Sequence, residues 1–445
     1  MEDFSETESM SAFKAWFSKN GGYFHPHLRF IPSPWGVTTV AKNDIPESSV
    51  VARCPFELVI TARSAKRAVS AALGLSGVIE GWSERQLICV YLCMHKFIPP
   101  DSDSAVHLRH RHYINILPRP DMLRTSIQYM ESELKLLQGT NVYNETLIRK
   151  AQWDTEWLTC LAEVKRVYTT WGAAFSRCVH IDVSIFPSRE DYYAAATYLS
   201  SRAFGSNLLA VGTHKSNQDI SPAPILIPGI DSIDHKRGEP VTWLVDAPAA
   251  SSTSLHNSQT STPPGISIRT ERAHSAGDPV YNNYGAKPNA ELLLAYGFSI
   301  PDNPEDTILL RVGGDVQRAE SREWVVGRDA AGADGLWGYV LNIVHVAGTA
   351  DDAVSDAEST FDDILDAAEM LQNMVRSHMK RLPSIPVEPT NVRPDVAVML
   401  RDYIKGQHDI LSALLQFAKA KEMQGLVMAR EAGIEYVDES GEEAL

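Results

Sequence analysis

At 445 residues, 44% apolar and 22% charged, the chain is long enough for two or three domains around a large buried core. No run of apolar residues reaches membrane-spanning length, and the acidic start MEDFSETESM lacks the basic and apolar regions of a secretory signal. A net charge of -15 disfavours direct nucleic-acid binding and suits a basic protein partner, and five scattered cysteines (Cys54, Cys89, Cys93, Cys160, Cys178) point to reduced thiols in cytoplasm or nucleus.

Met10 to Asn20 predicts an amphipathic helix with Phe13, Trp16 and Phe17 on one face, ended by Gly21-Gly22. Gly36 to Ala41 and Ser49 to Cys54 read as two strands around a turn at Asn43 to Glu47. From Thr61 to about Ser188 the pattern becomes helical: an Ala-rich stretch from Ser64 to Gly74, then Trp82 to Phe97 with a start at Ser83-Glu84, Glu131 to Gly139, and Thr155 to Trp171. Cys89 and Cys93 are four apart on one of these helices. With no second cysteine pair nearby they read as small buried apolar groups rather than metal ligands. The His107, His110 and His112 run has no carboxylates close in sequence and reads as a solvated loop, so no metal site is expected.

Asp191 to Ser200 is helical and delivers Ser201-Arg202-Ala203-Phe204. Short strands are expected at Ile225 to Ile227, Val241 to Val245 and Gly265 to Arg269, with a Ser/Thr-rich mobile loop from Ala247 to Pro264. Asn282 to Phe298 (NNYGAKPNAELLLAYGF) then carries two tyrosines, Tyr284 and Tyr296, joined by a short helix. Asn289 is the expected N-cap and Gly297 the left-handed stop. Taken alone, both phenols read as half-buried core groups with satisfied hydroxyls. Thr307 to Val312 is strand-like, Thr349 to Thr360 an acidic linker, and two long helical patterns, from Phe361 to Pro383 and after Pro394, make a helical C-terminal unit.

Three stretches in this order, Ser201 to Phe204, Ile225 to His235 (ILIPGIDSIDH) and Asn282 to Phe298, resemble the SET-domain protein lysine methyltransferases of the Rubisco large-subunit methyltransferase class. The NNYG wording and the late Tyr403 to Leu411 segment (YIKGQHDIL) are most similar to the fungal ribosomal-protein lysine methyltransferases. The resemblance implies an α+β fold: residues 1–20 as an N-terminal helix, 21–298 as a SET domain of small curved sheets with a helical insertion at about 62–190, and 299–445 as an all-helical substrate-binding domain. It implies an S-adenosyl-L-methionine-dependent protein-lysine N-methyltransferase, monomeric, acting on a basic protein of the ribosome.

By the same resemblance, Tyr296 orients the amine, Tyr284 lines cofactor and channel, and Phe298 joins the channel wall. Trp35 and Gly36 run along the cofactor, Arg202 meets its carboxylate, and His235 offers mainly backbone contacts to the adenine. The alternatives are a glycine that merely permits strand crossing and an arginine in a structural ion pair. Two departures stand out. The usual glycine pair has only Gly36, and Asp234 stands where the family has Asn. An ionised Asp only accepts hydrogen bonds, so it could pair with the cofactor's ammonium. A catalytically dead binding module and a methyltransferase acting on another nucleophile, such as a histidine ring, remain as rival readings.

Overall fold

The computed structural model describes residues 6–33, 36–73, 78–171, 187–209, 222–246, 263–312, 322–348, 360–386 and 390–434. Trp35, Cys178, the expected loop at 247–262 and the acidic linker up to residue 359 lie outside them. The chain divides into two compact units: Met1–Leu123 with Arg149–Ala286, and Arg124–Ile148 with Lys287–Leu445.

The first unit is built on small antiparallel sheets. Strands β1 (Tyr23–Phe24), β4 (Val50–Pro55), β8 (Gly265–Thr270) and β7 (Val241–Asp246) form one sheet in the order β1-β4-β8-β7. The other two are hairpins, β2 (Leu28–Ser33) with β3 (Gly36–Ala41), and β5 (Ala203–Gly205) with β6 (Pro224–Leu226). Both expected strands before residue 55 are therefore present, but they do not pair with each other. Val40 and Ile45 bridge instead to Pro279 and His274, so the turn between β3 and β4 carries the chain from one sheet to the next.

Phe13 and Phe17 of the helix Glu8–Lys19 are fully buried, and their rings pack with Phe24 and Phe30; the Phe17–Phe24 centroids are 4.6 Å apart. Gly229 rests on this cluster with φ +85°, where a Cβ would come within 2.7 Å of the Phe24 ring. The aromatic face predicted near the N-terminus thus supports the turn that carries Asp231.

Helices Ala62–Leu73 and Glu84–Phe97 follow the predicted pattern, and Ser83 caps the second through a reciprocal bond with Gln86. Cys89 and Cys93 are buried and unpaired on it. Nor is the histidine run a solvated loop throughout. His110 is buried, its Nδ1 accepts from the Tyr91 hydroxyl, and its Nε2 donates to the Leu58 carbonyl at 3.1 Å. Burial pushes its pKa down to about 3 and keeps the ring neutral. Its partners lie far off in sequence, so the local polarity of the run concealed them. Among the described residues no group of His, Cys, Asp and Glu is placed to hold a metal, and no helix is long and apolar enough to cross a membrane.

In the second unit the helices Ala333–Gly348, Phe361–Arg381 and Pro394–Glu431 pack around Leu336, Leu371, Ile410 and Leu414. Thr307–Val312 (β9) finds an antiparallel partner in Arg322–Gly327 (β10), so among the described residues the unit's regular structure is helical apart from this hairpin. Thr360 caps its helix through a reciprocal bond with Asp363. The expected helix from Glu131 ends at Lys135, and the next runs from Asn141 to Trp171, earlier than its apolar pattern predicts.

Candidate functional site

In the first unit the first two motif stretches, the start of the third and β3 are laced together by hydrogen bonds. Pairing of Ala203 with Leu226 brings Arg202 to the Ile225–His235 segment. Val280 N–H donates to the Thr39 carbonyl at 2.9 Å, and the Thr39 hydroxyl returns a bond to the Val280 carbonyl at 2.8 Å. Asn282 N–H then donates to the Asp234 carbonyl at 2.7 Å, and Lys236 N–H to the Asn282 carbonyl at 2.9 Å. This bridge clamps Asp234 and His235 against the start of the tyrosine motif.

Arg202 donates from Nη1 to the Asp231 carbonyl at 2.7 Å and stands 4.0 Å from the Asp231 carboxylate. That carboxylate is buried and accepts from the Tyr113 hydroxyl. Burial raises the Asp231 pKa to about 6, against the pull of Arg202. Burial also raises Asp234, opposed by a hydrogen bond from Thr38 and by Arg202. Burial opposes the charge of Arg202, but its acidic surroundings, Asp231 foremost, raise its pKa on balance. The side chain keeps 18% of its surface exposed, so the guanidinium is desolvated yet reachable.

Tyr284 and His235 form one assembly. Their rings stack with centroids 5.0 Å apart at 22°, and Tyr284 N–H donates to His235 Nδ1 at 2.9 Å. That bond makes Nδ1 an acceptor and fixes the neutral tautomer. The Tyr284 hydroxyl donates to the Ile233 carbonyl at 2.9 Å, so towards an amine this phenol is an acceptor. Gly36, at φ +117°, occupies backbone space that favours glycine, and a Cβ there would meet the Pro118 ring at 2.9 Å.

Tyr296 and Phe298 belong to the second unit. Pro288, not Asn289, precedes the first helical residue of their segment. The Asn289 side chain is taken by the Ile300 backbone and the Asp306 carboxylate, which is why it does not cap. Leu292–Tyr296 is a π-turn closed by Gly297 N–H donating to the Leu292 carbonyl at 2.8 Å. Gly297 is left-handed at φ +82°, as expected. The Tyr296 ring meets Phe298 edge-on at 6.2 Å. Lys287 Nζ lies 5.5 Å from the Tyr296 ring centroid and pairs with Glu291. Burial raises the phenol's pKa while the neighbouring ammonium opposes the rise.

No family model matches the chain. It is similar to the ribosomal lysine N-methyltransferase set10 of Schizosaccharomyces pombe, 28% identical over 306 residues that cover 66% of this chain and 46% of that protein. The protein-lysine N-methyltransferase EFM1 of Saccharomyces cerevisiae is 26% identical over 321 residues, 65% of this chain and 50% of that one. The chain thus matches about half the length of these relatives. Among solved structures, the SET domain of LSMT bound to lysine and AdoHcy superposes with TM-score 0.69 at 17% identity, over 94% of this chain and 93% of that one. Rubisco LSMT bound to AdoMet gives 0.66 at 18% identity, over 95% and 94%. The chain has the SET fold.

Within the SET fold, Asp231, Tyr113, Thr38, Asn282 and Lys287 were not singled out as site residues from the sequence. Asp231, Asn282 and Lys287 lie inside the motif stretches, so the motif itself is the available signal. For Tyr113 and Thr38 no sequence signal existed, because each meets its acid only through folding.

Proposed function

We propose that the chain is an S-adenosylmethionine-dependent protein-lysine N-methyltransferase whose substrate is a basic ribosomal protein. The observation that carries the reading is the charge arrangement beside the clamped Asp234–His235 segment: a desolvated guanidinium, Arg202, flanked by two carboxyls, Asp231 and Asp234. The SET fold and the names of the relatives support it.

The residues fit a cofactor with an amino-acid end. Arg202 offers a rigid donor fork to a carboxylate, and Asp234 offers an acceptor to an ammonium. Asn282 Nδ2, Ser232 Oγ and an Asp231 carboxylate oxygen are buried without a protein partner, which leaves polar capacity beside this segment. S-adenosylmethionine supplies a methyl group on a sulfonium.

For its part, the chain must present a neutral lysine amine. With a free pKa of ~10.4, holding that amine neutral near neutrality is worth about 4–5 kcal/mol. Aromatic walls desolvate the ammonium. In the first unit we assign Tyr284, whose hydroxyl oxygen can accept, to lining the cofactor; in the second we assign the Tyr296 phenol to amine orientation on its motif position. Four unpaired cysteines, Cys54, Cys89, Cys93 and Cys160, support a cytoplasmic or nuclear setting, and the charge of -15 supports a basic partner rather than nucleic acid. We propose a monomer.

The test is incubation with methyl-labelled cofactor and a ribosomal extract, followed by mass spectrometry of the labelled band. A methylated lysine in a ribosomal protein is the expected result. Cofactor binding without transfer to any protein would favour the dead module, and label on a histidine ring would change the nucleophile.

A further inference from the structure

We propose that Tyr113 is a positioning residue for the cofactor: its hydroxyl, acting through the Asp231 carboxylate, aims the Arg202 guanidinium at the carboxylate of the cofactor's amino-acid end. This rests on the cofactor reading above and adds to it a residue that lies in none of the three motif stretches.

The contacts lie within the first unit. Tyr113, on the short helix Arg111–Ile114, is fully buried, and its hydroxyl donates to Asp231 Oδ2. The same oxygen stands 4.0 Å from Arg202 Nη1, which in turn donates to the Asp231 carbonyl at 2.7 Å. Asp231 thus holds one end of the guanidinium through two of its oxygens. Among the described residues Arg202 donates no other hydrogen bond. Its rigid fork keeps Nη2 and Nε for an outside carboxylate, and the 18% of the side chain left exposed keeps them within a ligand's reach.

Among the described residues the Tyr113 hydroxyl is the one side-chain hydrogen-bond donor to the Asp231 carboxylate. Without that bond the acid, 0% exposed, turns to close the 4.0 Å gap and draws the fork into a pair of its own, in competition with the ligand. Both ends of the tie rest on one support. The Tyr113 ring packs 6.2 Å from Phe13. Gly229, two residues before Asp231, rests on Phe17 and Phe24, which are themselves ring neighbours of Phe13. The aromatic face of the N-terminal helix therefore holds phenol and acid together, and the bond is in place before any ligand arrives.

The experiment is calorimetric titration of Tyr113→Phe, Arg202→Ala and the double variant with S-adenosylhomocysteine and with methylthioadenosine, which lacks the amino-acid end. Tyr113→Phe should bind S-adenosylhomocysteine about tenfold more weakly than wild type, and methylthioadenosine within about twofold of it. In the Arg202→Ala background the same substitution should change neither affinity, because the hydroxyl acts through the guanidinium. If Tyr113→Phe does not fold, Tyr113→Phe with Asp231→Asn removes the stranded charge and carries the same expectation. Equal losses for the two ligands, no loss for S-adenosylhomocysteine, or a loss that persists without Arg202 overturns the proposal and leaves the cofactor reading standing. Failure of folded wild type to bind either ligand overturns both.

Discussion

Arg202 and Asp231 meet where burial and charge oppose each other. The guanidinium is kept ionised by its acids, whereas burial pushes Asp231 up to about 6 in spite of Arg202 and the Tyr113 hydrogen bond. Replacing Arg202 with Ala should weaken S-adenosylmethionine binding by roughly 10- to 150-fold, the worth of a charge-assisted pair of about 1.5–3 kcal/mol, measured by calorimetry. The sign for Asp231 follows from its raised pKa. Stability from its protonated form is complete below about pH 4 and is lost as pH rises through about 6. Denaturant unfolding should therefore show wild type losing stability relative to Asp231→Asn across that window. Tyr296→Phe should lower kcat roughly a hundredfold or more while S-adenosylhomocysteine affinity barely moves. Equal losses in the two would reduce Tyr296 to a packing group.

Capping chemistry was the most legible part of the elements. Ser83 and Gly297 stand where the sequence places them, since cap and stop are settled within a few residues. Asn289 read as a cap on the same grounds, but Asp306 and Ile300 claim its side chain. His110 and the β3–β4 turn misled for the same physical reason: their partners are supplied by folding, and residue type alone does not reveal them. The candidate residues of the motifs were legible, yet the Tyr113 and Thr38 bonds that tune their acids were not. Gly297 offers a test at this scale. Its φ of +82° and the 2.8 Å approach of a Cβ to the Arg124 carbonyl carbon leave no room for a side chain. Gly297→Ala should cost about 1–3 kcal/mol, read as a lowered Tm.

Across the whole molecule, each unit is assembled from separated pieces of sequence, which no periodicity announces. The second unit draws in residues 124–148, and there Arg393 binds the buried Glu133 carboxylate at 2.7 Å while its own N–H donates to the same group at 3.0 Å. Arg393→Met would strand that carboxylate. Loss of about 3–5 kcal/mol, seen as a lower denaturant midpoint, is the expected result. Arg393→Lys should recover part of it by restoring charge without the fork.

The wide turn at Leu292–Tyr296 has a consequence of its own. Its closing bond skips one residue more than an α-turn would, so the backbone there holds a surplus residue. Excising any one of Leu292, Leu293 or Leu294 would regularise the coil into ordinary helix. It would also swing the phenol at 296 by about 100° around the axis. Because all three leucines are buried, such a deletion should lower Tm; on the cofactor reading, the protein that still folds should transfer no methyl group, separating the aim of that ring from its mere presence.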